Sequence, residues 1–394
     1  MISLAVINPA DNPLSTHFYG LLVQNLGPAV LPLAMGMATS VLLFLPARWL
    51  SFQVNAVAQP GGRNIHQNPT ARLGGLALAG GFAVAVLFYA NPLGATDHRG
   101  LIVLAASLLA ALVMSLDDIR PFRARTKLLL QAALAVGVAV AGLSIDRINL
   151  GVGGLGVIQL GILAIPVTVV WLMGMQNTMN LLDGVDGLAG GVAAIVAAAL
   201  LLAAINRQTQ DHSQLEVVLL CGALIGACLG FLVFNFYPAK IFMGDGGAHF
   251  LGIALGTLSI YGVAKGAVIV AMVVPLAALA FPIIDTAWAV VRRRRDRVSI
   301  GHPDTAHIHH RLLYVGLSER ETCLVFYFGT GITSSLGLML FGHRKILGVA
   351  VVLLVVSLST LVGQRLSEVE AARQKSSARA TPGEGPNPAA LLES

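Results

Sequence analysis

Uninterrupted apolar runs of about 17 to 25 residues recur along the chain, the length an α-helix needs to cross roughly 30 Å of hydrocarbon. Within lipid every backbone N–H and C=O must find its partner inside the protein, and a run of this length does so as a helix. Spans are predicted near Tyr19 to Leu45, Leu73 to Ala90, Leu101 to Leu116, Leu128 to Leu143, Leu160 to Met175 and Leu188 to Ile205. Further spans follow near Val217 to Phe234, Ala248 to Val263, Ala267 to Val291, Thr322 to Phe341 and Ile346 to Val362. The expected fold class is therefore all-α: a polytopic integral membrane protein of about eleven transmembrane helices. Composition agrees, with 56% hydrophobic and 11% charged residues against about a quarter charged in a soluble domain.

The net charge of +6 raises the question of nucleic acid, and the placement of the charges answers it. If the first span begins outside, 19 of the 25 Lys and Arg fall on the cytoplasmic side and 6 on the other, which is the positive-inside pattern. These charges are divided among short loops between lipid spans and form no basic soluble face, so nucleic acid is not an expected partner. Cys221, Cys228 and Cys323 lie inside apolar spans without ligand spacing, as buried structural thiols do. Met1 to His17 has no basic segment before its apolar part and is broken by Pro9 and Pro13, so the first span is expected to stay as a helix rather than be cleaved as a signal. Residues 1–363 read as one membrane domain, and 364–394 as a polar, partly disordered cytoplasmic tail.

Charged groups near lipid are costly, so the carboxylates and imidazoles that gather at span ends carry the information. Asp117 and Asp118 close the third span, followed by Arg120, Arg123, Arg125 and Lys127. Such a pair can position a metal, accept a proton from a phosphate nucleophile, or neutralise the basic loop. Asn177, Asn180, Asp183 and Asp186 recur every third residue, with Gly184 and Gly187 among them. On a continuous helix that spacing precesses by about 60° per step. A broken segment is therefore expected, one that lets Asn180, Asp183 and Asp186 converge beside a polar cavity; an Asn-capped turn between two spans is the plainer reading.

Asp245, between Gly244 and Gly246 at the start of a span, has little steric cover. It can meet a diphosphate with its metal, or serve as a helix N-cap. Lys240 can contact phosphate or act as one more positive-inside charge. After the ninth span come Arg292 to Arg295 and then His302, Asp304, His307, His309, His310 and Arg311. That set of donors suits a diphosphate or a metal; phosphate is preferred, because the carboxylates imply a hard, oxygen-ligated cation and no Cys accompanies the imidazoles. The arginine run by itself is accounted for by topology and lipid head groups, and Asp285 either pairs with a loop Arg or lines the substrate cavity.

As a set these motifs resemble one family. The segment from Arg63 through His66, Pro69, Thr70 and Arg72 to Gly75, the Asp117 and Asp118 pair, Asn177 to Gly191, Phe242 to Gly247, and His307, His309 and His310 together resemble the polyprenyl-phosphate N-acetylhexosamine-1-phosphate transferases (glycosyltransferase family 4). The resemblance is to the WecA- and TagO-like branch, because the histidine motif is interrupted by Ile308, where the related phospho-MurNAc-pentapeptide branch usually has an unbroken run. It implies Asp245 as Mg²⁺ ligand, with Asp183 beside it and Mn²⁺ as a substitute cation. It places Asp117 and Asp118 at the lipid-phosphate nucleophile, Asn177, Asn180, Asp183 and Asp186 near the nucleotide, and His307, His309 and His310 on the diphosphate. Arg72, Lys127, Lys240 and Arg311 become substrate contacts. Ala248 and His249 stand where a small hydroxyl residue is usual, and Gly301 to Asp304 replace a serine- and arginine-containing form; both departures bear on the sugar.

The activity so implied is transfer of a sugar 1-phosphate from a UDP-N-acetylhexosamine to a polyprenyl phosphate such as undecaprenyl phosphate, with release of UMP, at the cytoplasmic face of a bacterial inner membrane. The product would initiate cell-envelope polysaccharide synthesis. In-line attack on the β-phosphorus and a double displacement through an aspartyl-phosphate both remain open, as does a homodimer. The rival readings are the pentapeptide branch and a transporter. A transporter would place its polar residues at mid-membrane within paired repeats, which this sequence does not show.

Overall fold

A computed structural model describes residues 16–59, 69–90, 97–149, 157–208, 214–263, 295 and 318–339. The described chain is almost wholly helical: α1 (Thr16–Gln53), α2 (Gly74–Tyr89), α3 (Arg99–Ile119), α4 (Ala124–Val140), α5 (Ala164–Leu182), α6 (Leu188–Gln208), α7 (Gln214–Asn235), α8 (Gly244–Val263) and α9 (Glu319–Met339). Each coincides with a predicted span, with ends that reach up to eight residues further. The predicted spans at 267–291 and 346–362, and the tail 364–394, lie outside the described residues. By length and composition, five helices can cross a membrane: Leu26–Gln53, Arg99–Ile119, Gly161–Leu182, Leu188–Ile205 and Gln214–Asn235.

Lipid as solvent explains which side chains face outward. Leu42, Leu112, Leu129, Val140 and Val170 are each more than half exposed, an arrangement that costs free energy in water and none in hydrocarbon. The interior is instead made close by small residues, because lipid gives helices no hydrophobic reason to associate and contact area must come from backbone approach. Gly226 on α7 shows the limit: a Cβ there would lie 2.0 Å from the Leu33 carbonyl oxygen of α1. α1 packs most extensively on α7 and α2, α8 is held between α3 and α5, and α9 lies on α6. α1 contains Pro28, Pro32 and Pro46, which membrane helices tolerate where neighbours satisfy the freed carbonyls.

Two short antiparallel pairs depart from the all-helical expectation. β1 (Val57–Ala58) pairs with β2 (Thr70–Ala71), and β3 (Arg147–Asn149) with β4 (Val157–Gln159). The first pair has a structural task. Ala71 also bridges to Ile241, Phe242 N–H donates to Ala71 O, and Gly74 and Gly75 donate to the carbonyls of Phe242 and Met243. The chain entering α2 is thus tied by backbone bonds to the chain entering α8. A Cβ on Gly75 would meet Gly247 N at 2.2 Å, so both positions require glycine for the two helix starts to touch. The three cysteines are free and buried, as their positions predicted.

Candidate active site

The C-termini of α3 and α5 and the N-termini of α4 and α8 meet at one end of the bundle. Lys127, one turn into α4, places its ammonium 2.5 Å from Asp117 Oδ2 and 2.5 Å from Asp245 Oδ2. Asn180 Nδ2 donates to the other Asp245 oxygen at 3.2 Å, and Asp117 Oδ1 accepts the Phe122 N–H at 2.6 Å. Four residues drawn from α3, α4, α5 and α8 therefore form one charged cluster. Burial pushes the Asp245 carboxyl up, but hydrogen bonding with Asp117 and Lys127 and the Lys127 charge outweigh it and hold it down, to about 2. Burial also works against the Lys127 ammonium, yet the two carboxylates keep its pKa above the ordinary lysine value.

Asp118 is engaged differently from its neighbour. Its Oδ1 accepts the N–H of Asp245 and its Oδ2 the N–H of Gly246, both at 3.0 Å, while Arg72 Nη2 lies 3.6 Å from Oδ1. Asp118 thus caps α8 from another helix, with its negative charge set against the positive end of that helix. The N-cap reading of Asp245 is therefore corrected: Asp118 satisfies the first amides of α8, which leaves the Asp245 carboxylate to Lys127 and Asn180.

The break that Gly184 and Gly187 led one to expect is present, and it is narrow. α5 continues unbroken through Leu182, carrying Asn177 and Asn180, and the turn is confined to Asp183–Gly187. Helical geometry is kept because Asn177 returns its Nδ2 to Met173 O at 2.7 Å. Asp183 closes the helix, and its carboxylate makes no hydrogen bond or ion pair among the described residues. Burial, and after it the negative charges of Asp118 and Asp245, raise its pKa well above the usual carboxylate range. Asp186 is anchored on the far side of the turn. Its Oδ2 accepts the Ala239 N–H at 2.8 Å and its carbonyl accepts from Cys323 Sγ, so it fastens the turn to the loop before α8 and to α9. Lys240 is exposed and makes no contact with the cluster among the described residues. His302, Asp304, His307, His309, His310, Arg311, Asp285 and Arg292 to Arg294 lie outside the described residues.

Gln131 escaped the sequence reading; it links His249 and Asn177. Asn235 receives the Gly187 N–H and donates to Ile241 O, joining the turn to the approach to α8. The only signal for Gln131 was an amide inside an apolar run. α3 and α4 also enclose an apolar cavity of about 450 Å³ that begins one turn beneath Asp117 and Lys127, at Met114 and Leu130, and extends to Ile102 and Ala141.

The donor set suits a hard cation. Among the described residues no three acidic, histidine or cysteine side chains converge as a ready metal cage, but Mg²⁺ commonly takes only one or two carboxylates and completes its shell with water and substrate phosphate. Asp245 and Asp183 are the carboxylates that could fill that role, and the repulsion that raises the Asp183 pKa would fall if a cation bound beside them.

Comparison with known proteins places this end of the bundle in context. The family model for glycosyl transferase family 4 matches residues 100–263. The chain is similar to a probable undecaprenyl-phosphate N-acetylglucosaminyl 1-phosphate transferase of Bacillus subtilis, 35% identical over 73% of this chain and 78% of the relative. It is 34% identical to a decaprenyl-phosphate N-acetylglucosaminephosphotransferase of Mycolicibacterium smegmatis, over 76% of this chain and 79% of that one. A phospho-N-acetylmuramoyl-pentapeptide-transferase of Desulforudis audaxviator is 32% identical, over 70% and 86%.

Proposed function

From the premise that the chain belongs to glycosyl transferase family 4, we propose that it is a membrane enzyme transferring N-acetylglucosamine 1-phosphate from UDP-N-acetylglucosamine to a polyprenyl phosphate, with release of UMP. The observation that carries this reading is the Asp117, Lys127 and Asp245 cluster, with an apolar cavity lined by the same two helices, α3 and α4, that supply Asp117 and Lys127. Both substrates are anionic at the reacting atoms, and one of them is a lipid, so the site must combine fixed cations with a path for an isoprenoid chain. In the reaction a phosphate oxygen of the lipid forms a bond to the β-phosphorus, and the bond from that phosphorus to the UMP oxygen breaks.

Lys127 is within reach of phosphoryl oxygens and stabilises charge on them. Asp117, oriented by Phe122 and Lys127, takes the last proton of the lipid phosphate or holds that phosphate in line. Asp118 shapes the site by fixing α8. A Mg²⁺ ion held by Asp245 and Asp183 would neutralise the diphosphate and the departing UMP. The site faces the cytoplasm, where UDP-sugars are found, in the inner membrane of a bacterium.

The pentapeptide reaction is the second reading, favoured by relatives of that name at 32% identity. The higher identity of 33 to 35% to N-acetylglucosamine-phosphate transferases and the interrupted histidine motif favour the first. The test is UMP release by purified protein given polyprenyl phosphate and either UDP-N-acetylglucosamine or UDP-MurNAc-pentapeptide. Release with the former alone is expected; release with the latter alone would replace the reading.

A further inference from the structure

His249 is an imidazole close to Asp245 that nothing in the reaction above uses. It is buried, 1% exposed, on α8 one turn after Asp245, and faces Gln131, which is 2% exposed. Its Nδ1 lies 2.8 Å from the Asp245 carbonyl oxygen and its Nε2 lies 2.8 Å from Gln131 Nε2. Gln131 Oε1 in turn receives Asn177 Nδ2 at 2.9 Å, and the same Asn177 nitrogen donates to Met173 O at 2.7 Å.

The polarity of this chain of bonds is fixed at both ends. A backbone carbonyl can only accept, so Nδ1 carries the hydrogen toward Asp245 O, and the Asn177 amide turns its nitrogen toward Met173 O. With Asn177 donating, Gln131 must present its oxygen to Asn177 and its nitrogen to the imidazole, whose Nε2 then accepts. Each bond dictates the next, with no orientation left to choose. Neither ring nitrogen is left for a metal or a phosphate, so His249 is not a ligand itself.

The Asp245 peptide is consequently held on both sides: its N–H by Asp118 and its C=O by His249. We propose that His249 is a positioning residue for the Asp245 carboxylate, acting through a relay of fixed polarity with Gln131 and Asn177 that locks the first turn of α8 to α4 and α5. The inference rests on the metal reading of Asp245 given above. Partners that orient a metal-binding group typically change metal affinity by roughly 10- to 100-fold when removed, and a relay with every member satisfied is the arrangement in which such partners hold rigidly.

The test uses Mn²⁺ alone as probe, its binding to purified full-length protein read by electron paramagnetic resonance, with Asp245→Asn as reference. His249→Leu removes the relay. His249→Asn keeps an N–H close to the Nδ1 position while giving up Gln131. Mn²⁺ affinity is expected to fall about 10-fold or more in both variants, since each severs the link to Gln131. Native affinity in either variant overturns the proposal. Should His249→Leu fail to fold, Gln131→Met carries the test, and unchanged affinity there overturns it equally. If the native protein shows no Mn²⁺ binding that depends on Asp245, the metal reading fails by itself. The relay is then judged without metal, by hydrogen exchange of the Asp245 and Gly246 amides. Faster exchange in both His249 variants than in native protein sustains it, and native rates overturn it.

Discussion

Adjacent residues with the same side chain, Asp117 and Asp118, do different work because a helix separates their directions by about 100° per residue. Asp118→Ala leaves two buried amides without an acceptor, at a cost of about 1–3 kcal/mol each, and is expected to lower the Tm in detergent together with activity. Asp245→Asn changes charge but hardly volume. It is expected to lower transfer at limiting Mg²⁺ by at least about 100-fold with the Tm preserved, and native turnover in that variant would remove Asp245 from the site. Asp183 offers a test with a sign. Its folded pKa is raised by burial and by Asp118 and Asp245, so the native state holds its proton more tightly than the unfolded chain. Its ionisation therefore costs stability as pH climbs above the usual carboxylate range. Metal-free Asp183→Asn should melt higher than native protein at pH 7, with the gain shrinking toward pH 4. A lower Tm at pH 7 would contradict this. The sequence displayed every one of these carboxylates, because acid at a span end is conspicuous. It could not show which oxygen meets which amide, since that depends on contacts such as Asp245 N–H to Asp118, 127 residues apart.

At the level of elements, hydrophobic run length was sufficient to locate the described helices, and Gly184 and Gly187 marked the break after α5, although Asn177 and Asn180 lie ahead of it. Asn177 and Asn180 remain helical because α5 gives them partners on its own carbonyls and on α4 and α8. The strand pairs β1–β2 and β3–β4 were invisible for a different reason: two or three residues carry no period to detect. The cavity between α3 and α4 belongs to this scale as well. Ala110 lies on its wall, and Ala110→Phe should raise KM for a long-chain polyprenyl phosphate several-fold while leaving KM for a short, two-isoprene analogue and for the UDP-sugar near native. An equal effect on both lipids would place the chain elsewhere.

For the whole molecule, the positive-inside distribution gives an expected orientation that labelling can test. Cysteines introduced near Asp97, Ile145 and Arg207 are expected to react with an impermeant reagent from outside the cell, and those near Arg123 and Thr305 only after permeabilisation. The reverse pattern would separate the site from the nucleotide pool. In the structure Asp117, Lys127, Asn180 and Asp245 all lie at one end, and Asp97 and Arg99 at the other end of α3.

The backbone junction between the starts of α2 and α8 bears on how far this sequence can drift. Gly75 and Gly247 are buried and touch without side chains, and the carbonyls of Phe242 and Met243 are already committed to Gly74 and Gly75. Side chains elsewhere in the bundle can be exchanged one for another of similar volume. Here any added Cβ collides with the facing strand of main chain, so a descendant that lost either glycine would have to part the two helix starts.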